Sequence, residues 1–350
     1  MPLLARMLSA PLFVDVRAGA VASVGTLLTD LQIARQGRAA VAVGPSQGDG
    51  ICEELRIDGA EVFRVPDGSL AAAVELGQQL RGGQFEAIAG IGGGKTIDVA
   101  KFAAHMAGIP MVAVTTSLGH DGIASPVSTL RHESGTGSYG VVMPAAVLVD
   151  LDRVLSAPAS LSTAGIGDAI SDLSAVADWE LAAAEVGEHT DGLAVAMARS
   201  AALVVLHQPG QARTDEFLTV LAESLILSGM AMGVAGSSRP ASGGDHEIMH
   251  AVNELHPGTA SHGELAGVGA LFCTYLRQDE DKVELISACL ERHGLPRTPG
   301  DLGLSDADFA KAVAYAPRTR PGRYTILEHL DLSEAQLADH VEAYVKAVAG

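Results

Sequence analysis

The sequence predicts an α/β domain built on a parallel sheet over residues 1–155, followed by an all-α domain over residues 156–350. Three observations lead there. Short β-branched runs alternate with helix-length amphipathic stretches through the first 150 residues. Strand signals then nearly vanish, and Ala- and Leu-rich segments with helical periodicity continue to the C-terminus. Between the two patterns lies residues 155–162, a break carrying Pro158 and several serines.

The elements follow in order. Ala39–Val43 runs into Gly44-Pro45, a strand entering a turn, and Glu61–Val65 runs into Pro66-Asp67-Gly68. An amphipathic helix fits Ser69–Leu80. Phe85–Ile91 is a strand, Gly94–Met106 a helix and Pro110–Thr115 the next strand. Strands separated by helices of this length imply parallel βαβ units wound right-handed. Residues 126–150, with Gly135, Gly137 and Gly140, suit a β-hairpin and a closing strand. Helices are expected over 163–185, 189–207, 212–236, 245–256, 262–279, 281–293, 305–316 and 333–349.

Bulk properties narrow the function. At 350 residues, with 48% hydrophobic and 19% charged residues, the chain has the composition of an ordinary globular protein. A net charge of −19 argues against a general nucleic-acid binder, which needs a basic face. It leaves room for a phosphorylated ligand, because a few local donors outweigh the global sign within a Debye length. Cys52, Cys273 and Cys289 are too few and scattered for a disulfide framework or thiolate site, and read as buried thiols. The apolar start is broken by Asp15 and Arg17, so neither a signal peptide nor a membrane insertion is expected, and the location expected is cytoplasmic.

Gly92, Gly93 and Gly94 follow a strand and open a helix, with Lys95 next. Such a turn lets backbone N–H groups and a helix N-terminus approach a pyrophosphate. The spacing is neither a Walker loop nor a first-unit G-x-G-x-x-G, and a bare strand-to-helix turn remains the alternative. The favoured reading is a Rossmann-like nucleotide-binding domain. After the second strand stand Gly44-Pro45-Ser46-Gln47, with no carboxylate to select NAD over NADP, so both stay open.

His246-Glu247-Ile248-Met249-His250 is a literal H-E-x-x-H, which alone suggests a zinc hydrolase with Glu247 as base. Asp168, His246 and His262 together offer two neutral nitrogens and one hard oxygen, a set suited to Zn2+ or Fe2+ with a position left for substrate. Asp168 also has a plainer reading, an acidic residue at a helix start. Thr115 to Pro126 follows a strand end; its hydroxyls suit a cofactor and Asp121 a substrate hydroxyl, or it is an ordinary polar loop.

In chain order, GIGGGKTIDVAK, TTSLGHDGIASP, AGIGDAISD, SSRPASGGDHEIMH and ASHGELAGVG resemble the glycerol-1-phosphate dehydrogenase branch of the iron/zinc-dependent alcohol dehydrogenases, and more distantly dehydroquinate synthase. The resemblance implies a dehydroquinate synthase-like fold, usually in a homo-oligomer. It implies metal ligation by Asp168, His246 and His262, with Zn2+, Fe2+ or Ni2+ as the ion. It places NAD or NADP on Gly92, Gly93, Gly94, Lys95, Thr96, Ile97 and Asp98, on Thr116, Ser117, Leu118 and Gly119, and on Ser125. Asp121 and His250, with Asp168, would contact a small phosphorylated polyol or its ketone. The chain departs from the branch at Gly119, Val127, Thr129 and His256-Pro257-Gly258, near the expected substrate pocket. Three other readings compete: a dehydroquinate synthase-like cyclase, a zinc peptidase on H-E-x-x-H, and an inactive binding protein.

Overall fold

A computed structural model describes residues 9–30, 33–34, 38–55, 60–133 and 135–349, with no side-chain description for Asp30, Asp49, Cys52, Glu54 and Ala349. The expectation for the Cys52 thiol therefore lies outside the described residues, whereas Cys273 and Cys289 are free and buried. The chain divides into two units, Met1–Pro158 and Ala159–Gly350.

The first unit contains β1 (Phe13–Arg17), α1 (Val24–Asp30), β2 (Arg38–Val43), α2 (Gly48–Glu54), β3 (Glu61–Arg64), α3 (Leu70–Gly82), β4 (Phe85–Gly92) and α4 (Gly94–Ala107). β5 (Met111–Thr115), a hairpin of β6 (Val127–His132) and β7 (Gly135–Gly140), β8 (Ala146–Asp150) and α5 (Leu151–Ser156) complete it. Six strands form one parallel sheet in the order β1-β8-β5-β4-β2-β3. All residues of β5 and β8 are buried, which explains their unbroken apolar sequences: strands covered on both faces have no polar side to show. β1 escaped the sequence reading because Asp15 and Arg17 interrupt its apolar run. It forms by pairing with the edge of β8, from Phe13 opposite Ala146 to Arg17 opposite Asp150.

This order places a topological switch beside β4. The chain leaves β2 for the edge strand β3, returns to β4 on the other side of β2, and continues away to β5. The loops after β2 and β4 thus diverge, and in open α/β sheets such a crevice at the C-terminal strand ends is the usual ligand position.

The second unit is helical: α6 (Ala159–Thr163), α7 (Gly165–Val186), α8 (Gly192–His207), α9 (Asp215–Ala235), α10 (Gly244–Leu255), α11 (His262–Leu276), α12 (Glu280–Arg292), α13 (Asp306–Tyr315), α14 (Ile326–Leu330) and α15 (Glu334–Ala349). Among its described residues no strand forms. Local signals set the ends. Asp191, Thr214, Ser261 and Asp279 each accept a backbone N–H as N-caps, and Ser261 with Glu264 completes a capping box. The short α14 and the 3-10 turns at Arg239–Ala241 and Ala316–Arg318 have too few residues for periodicity to reveal them. α9 is long and apolar enough to span a membrane, but 61% of its most apolar window is buried inside the unit, as in a core helix.

Candidate metal centre and cofactor loop

In the second unit the site begins with helix packing. A Cβ on Gly167 of α7 would lie 2.1 Å from the Gly263 carbonyl oxygen of α11, and one on Gly267 3.1 Å from the Gly167 Cα. Only hydrogen fits there. Bare backbones in contact bring the first turns of α7 and α11 together, and with them Asp168 and His262. A third contact works likewise: a Cβ on Gly269 of α11 would lie 2.6 Å from the Asp245 oxygen, which draws α10 against α11.

Three donor atoms converge as a result. Asp168 Oδ1 lies 3.1 Å from His262 Nε2 and 3.6 Å from His246 Nε2, and the two Nε2 atoms are 3.3 Å apart. Ligand atoms about 2.0–2.1 Å from a tetrahedral ion are separated by roughly 3.3 Å, so the spacing fits a metal of that size. Two imidazole nitrogens facing one carboxylate also suit Zn2+ or Fe2+ by type. Asp168 and His246 are buried and His262 is partly exposed, which leaves one approach open.

Electrostatics agree with an ionised cluster. Burial opposes the charge on Asp168, yet hydrogen bonds and attraction from His246 and His262 hold it well below the usual carboxylate range. Burial opposes the His246 cation too, but Asp168 and Asp245 carry that imidazole up to about 9. Asp245 Oδ1 accepts the Nδ1–H of His246, so Nε2 is the atom presented to the cluster.

The rest of H-E-x-x-H faces elsewhere. His250 Nε2 accepts a hydrogen bond from the Arg320 guanidinium at 2.8 Å, and His250 lies outside the ligand group. Glu247 is fully buried, with Thr325 donating to its Oε2 at 3.2 Å. Burial, then Glu328, pushes its carboxyl up to about 9, so it carries a proton at neutral pH. A peptidase needs an ionised base beside the metal, and this geometry does not provide one.

In the first unit Gly44, just after β2, packs against the start of α4. A Cβ on Gly44 would lie 2.6 Å from Thr96 Oγ1, and one on Gly92 2.8 Å from the same side chain. A Cβ on Gly94 would strike the His120 ring at 2.3 Å. The glycines are thus required by close packing within the unit as well as by any ligand. Gly93 is the N-cap of α4, and Thr96 and Ile97 return their N–H groups to its carbonyl. Thr116 N–H bonds to the Gly92 carbonyl, which sets the start of the loop after β5 beside the end of β4. Ile97 and Leu118 are fully buried, so what they offer a cofactor comes from backbone. Asp121 opens a 3-10 turn in this unit, and its carbonyl accepts from Ala124 and Ser125.

One organiser went unread in the sequence. Lys101, on α4, is buried; its Nζ donates to the carbonyls of Gly122, Ser125 and Val127 and lies 3.2 Å from Asp98 Oδ1. A lysine has three donors, and here three carbonyls of the Thr116–Val127 segment take them. Its signals were its position one turn beyond Asp98 and its place at the end of GIGGGKTIDVAK.

The sequence profile of the iron-containing alcohol dehydrogenases matches residues 15–158. Glycerol-1-phosphate dehydrogenase (NAD(P)+) of Hyperthermus butylicus is 40% identical over 267 residues, 76% of each chain. The protein of the same name from Staphylothermus marinus is 33% identical over 332 residues, 93% of each chain. The chain belongs to the iron-containing alcohol dehydrogenase family, in its glycerol-1-phosphate dehydrogenase branch. The resemblance carried by the five motifs is borne out. The fold of this family member is similar to that of a probable glycerol dehydrogenase from Sinorhizobium meliloti 1021, with a TM-score of 0.82 at 23% identity over 99% of both chains. Glycerol dehydrogenase from Schizosaccharomyces pombe gives 0.76 at 21% identity, over 99% of this chain and 91% of that one.

Proposed function

We propose that this chain is a metal-dependent oxidoreductase that interconverts dihydroxyacetone phosphate and sn-glycerol-1-phosphate with NADH or NADPH. The observation that carries the reading is the convergence of Asp168, His246 and His262, with His250 excluded, in a chain whose relatives bear that enzyme's name. In this reading those three residues hold a divalent ion, Zn2+ ahead of Fe2+ or Ni2+. Gly92–Asp98, Thr116–Gly119 and Ser125 serve the nicotinamide cofactor, and Asp121 and His250 the substrate. When bound, the ion polarises the oxygen on the reacting carbon and the nicotinamide carries the hydride.

The chain's own residues supply the order. Asp245 fixes the tautomer and ring direction of His246. A guanidinium only donates, so the Arg320 bond leaves the proton of neutral His250 on Nδ1, where it can bond a substrate oxygen. Lys101 holds the backbone that follows Asp121, at Gly122 and Ser125. As finer parts of the same proposal, the enzyme is a homo-oligomer and works in the cytoplasm.

The test is steady-state oxidation of NADH and NADPH by dihydroxyacetone phosphate after metal reconstitution, with free dihydroxyacetone as comparison. Sustained turnover with the phosphorylated ketone is expected. A cyclase would consume no net cofactor, and if no ketone oxidises either cofactor the reading fails.

A further inference from the structure

Between α13 and α14 the chain carries Arg318, Arg320 and Arg323. Arg318 is exposed and lies over the Tyr315 ring. The other two are half-buried and turn toward one hydroxyl. Arg320 Nη1 donates to Ser238 Oγ at 3.3 Å, and Arg323 Nη2 donates to the same oxygen at 2.9 Å. Arg320 Nη2 continues to His250, and Arg323 Nη1 to the Ser242 carbonyl.

Among the described residues, neither arginine is in an ion pair. The contrast within the unit is direct: Arg239 pairs with Glu188, Arg277 with Asp178 and Arg297 with Glu291. Two cations withdrawn from water onto one neutral oxygen repel each other, and Asp245 and Glu247 attract them without forming an ion pair with either. The cost is visible in Arg323, which burial, then Arg320 and Arg239, pull down to about 10. Each guanidinium has five N–H donors, and the bonds above use two on each. Planar donor forks of this kind match phosphate oxygens.

His250 stands one helical turn beyond His246 on α10, about 6 Å along the axis, which is comparable to the reach from a triose carbonyl to its phosphate. Arg320 donates to Nε2 of His250, which leaves its Nδ1 for another partner.

We propose that Arg320 and Arg323, gathered by Ser238, form the subsite for the phosphate of the substrate. The inference rests on the function proposed above and extends it, because it makes this pair the source of selectivity for a phosphorylated over a free triose. Arg239 acts differently. It is neutralised by Glu188 and donates to the Tyr324 carbonyl, which holds the arginine-bearing segment in place.

The experiment compares Arg320→Met and Arg323→Met with the wild-type metalloenzyme. In both variants KM for dihydroxyacetone phosphate rises about ten- to hundredfold, as expected for a lost charge-assisted hydrogen bond, while in Arg323→Met, which leaves the Arg320 bond to His250 in place, kcat/KM for free dihydroxyacetone changes little. Inorganic phosphate competes with the phosphorylated ketone in the wild type and loses potency in both variants. Equal losses on both ketones in Arg323→Met, or undiminished phosphate inhibition in either variant, overturn the proposal. Should either variant fail to fold, phenylglyoxal labelling of the wild type, mapped by mass spectrometry, gives the same decision. Phosphate shields Arg320 and Arg323 if the subsite exists, and leaves their labelling unchanged if it does not. Shielding is read without turnover, so a failure of the dehydrogenase reading is distinguishable from a failure of this one.

Discussion

Asp245 Oδ1 lies 2.5 Å from Nδ1 of its chain neighbour His246, and both side chains are buried. The carboxylate fixes the ring and strengthens Nε2 as a donor to a metal. Asp245→Asn is expected to weaken metal affinity by about 10- to 100-fold, the usual cost of losing such a partner. Competition with a chelator of known affinity measures it.

The two histidines of H-E-x-x-H have different surroundings, His246 in the Asp168 group and His250 on Arg320. His246→Ala is expected to lose the metal, and His250→Ala to keep it with a raised KM for ketone. Glu247→Gln, at a residue turned toward Thr325, retains ketone reduction. Metal content by atomic emission, together with NADH oxidation, reads all three. Metal lost from His250→Ala would restore the peptidase reading.

Gly167→Ala adds a methyl group 2.1 Å from a backbone oxygen that has no side-chain freedom to yield. The helices must part, at a cost of about 1–3 kcal/mol or more. Both a lower Tm and a weaker metal site are expected, since the same contact sets Asp168 against His262. Calorimetry with and without added metal separates the two effects.

Lys101→Met keeps the stem and removes the ammonium that satisfies three carbonyls and faces Asp98. Breaking a buried pair costs about 3–5 kcal/mol, seen as a lower denaturant midpoint. A raised KM for NADH relative to ketone is also expected, because the Thr116–Val127 segment loosens.

His293 supplies a pH signature remote from the metal. Burial, then Arg292, lowers its imidazole to about 4 from an ordinary 6.5, so the unfolded chain binds the extra proton first. Its stabilising contribution is complete above about pH 6.5 and is lost as pH falls toward 4. Urea midpoints across that range should fall less steeply in His293→Phe than in the wild type.

How much of this was legible in the sequence depended on how local each signal was. The buried strands β5 and β8 announced themselves because unbroken apolar runs need no context, whereas β1 depends on its partner β8 and its Asp15 and Arg17 hid it. Asp168, His246 and His262 stood out by residue type and motif, and the structure does bring them together. Periodicity could not reveal that Gly167 and Gly263 touch, nor that Arg320 reaches back to His250, because those contacts join distant stretches of chain. Lys101 looked like one more polar residue on an amphipathic helix; its burial among carbonyls is a property of the folded loop.

The glycine contact between α7 and α11 also sets a timetable. Asp168 leaves the ribosome well before His262, and the pair they form is set only when the two helices touch. The complete group of Asp168, His246 and His262 therefore exists only after α11 has been made, and a product truncated before Ser261 would leave synthesis without the third residue.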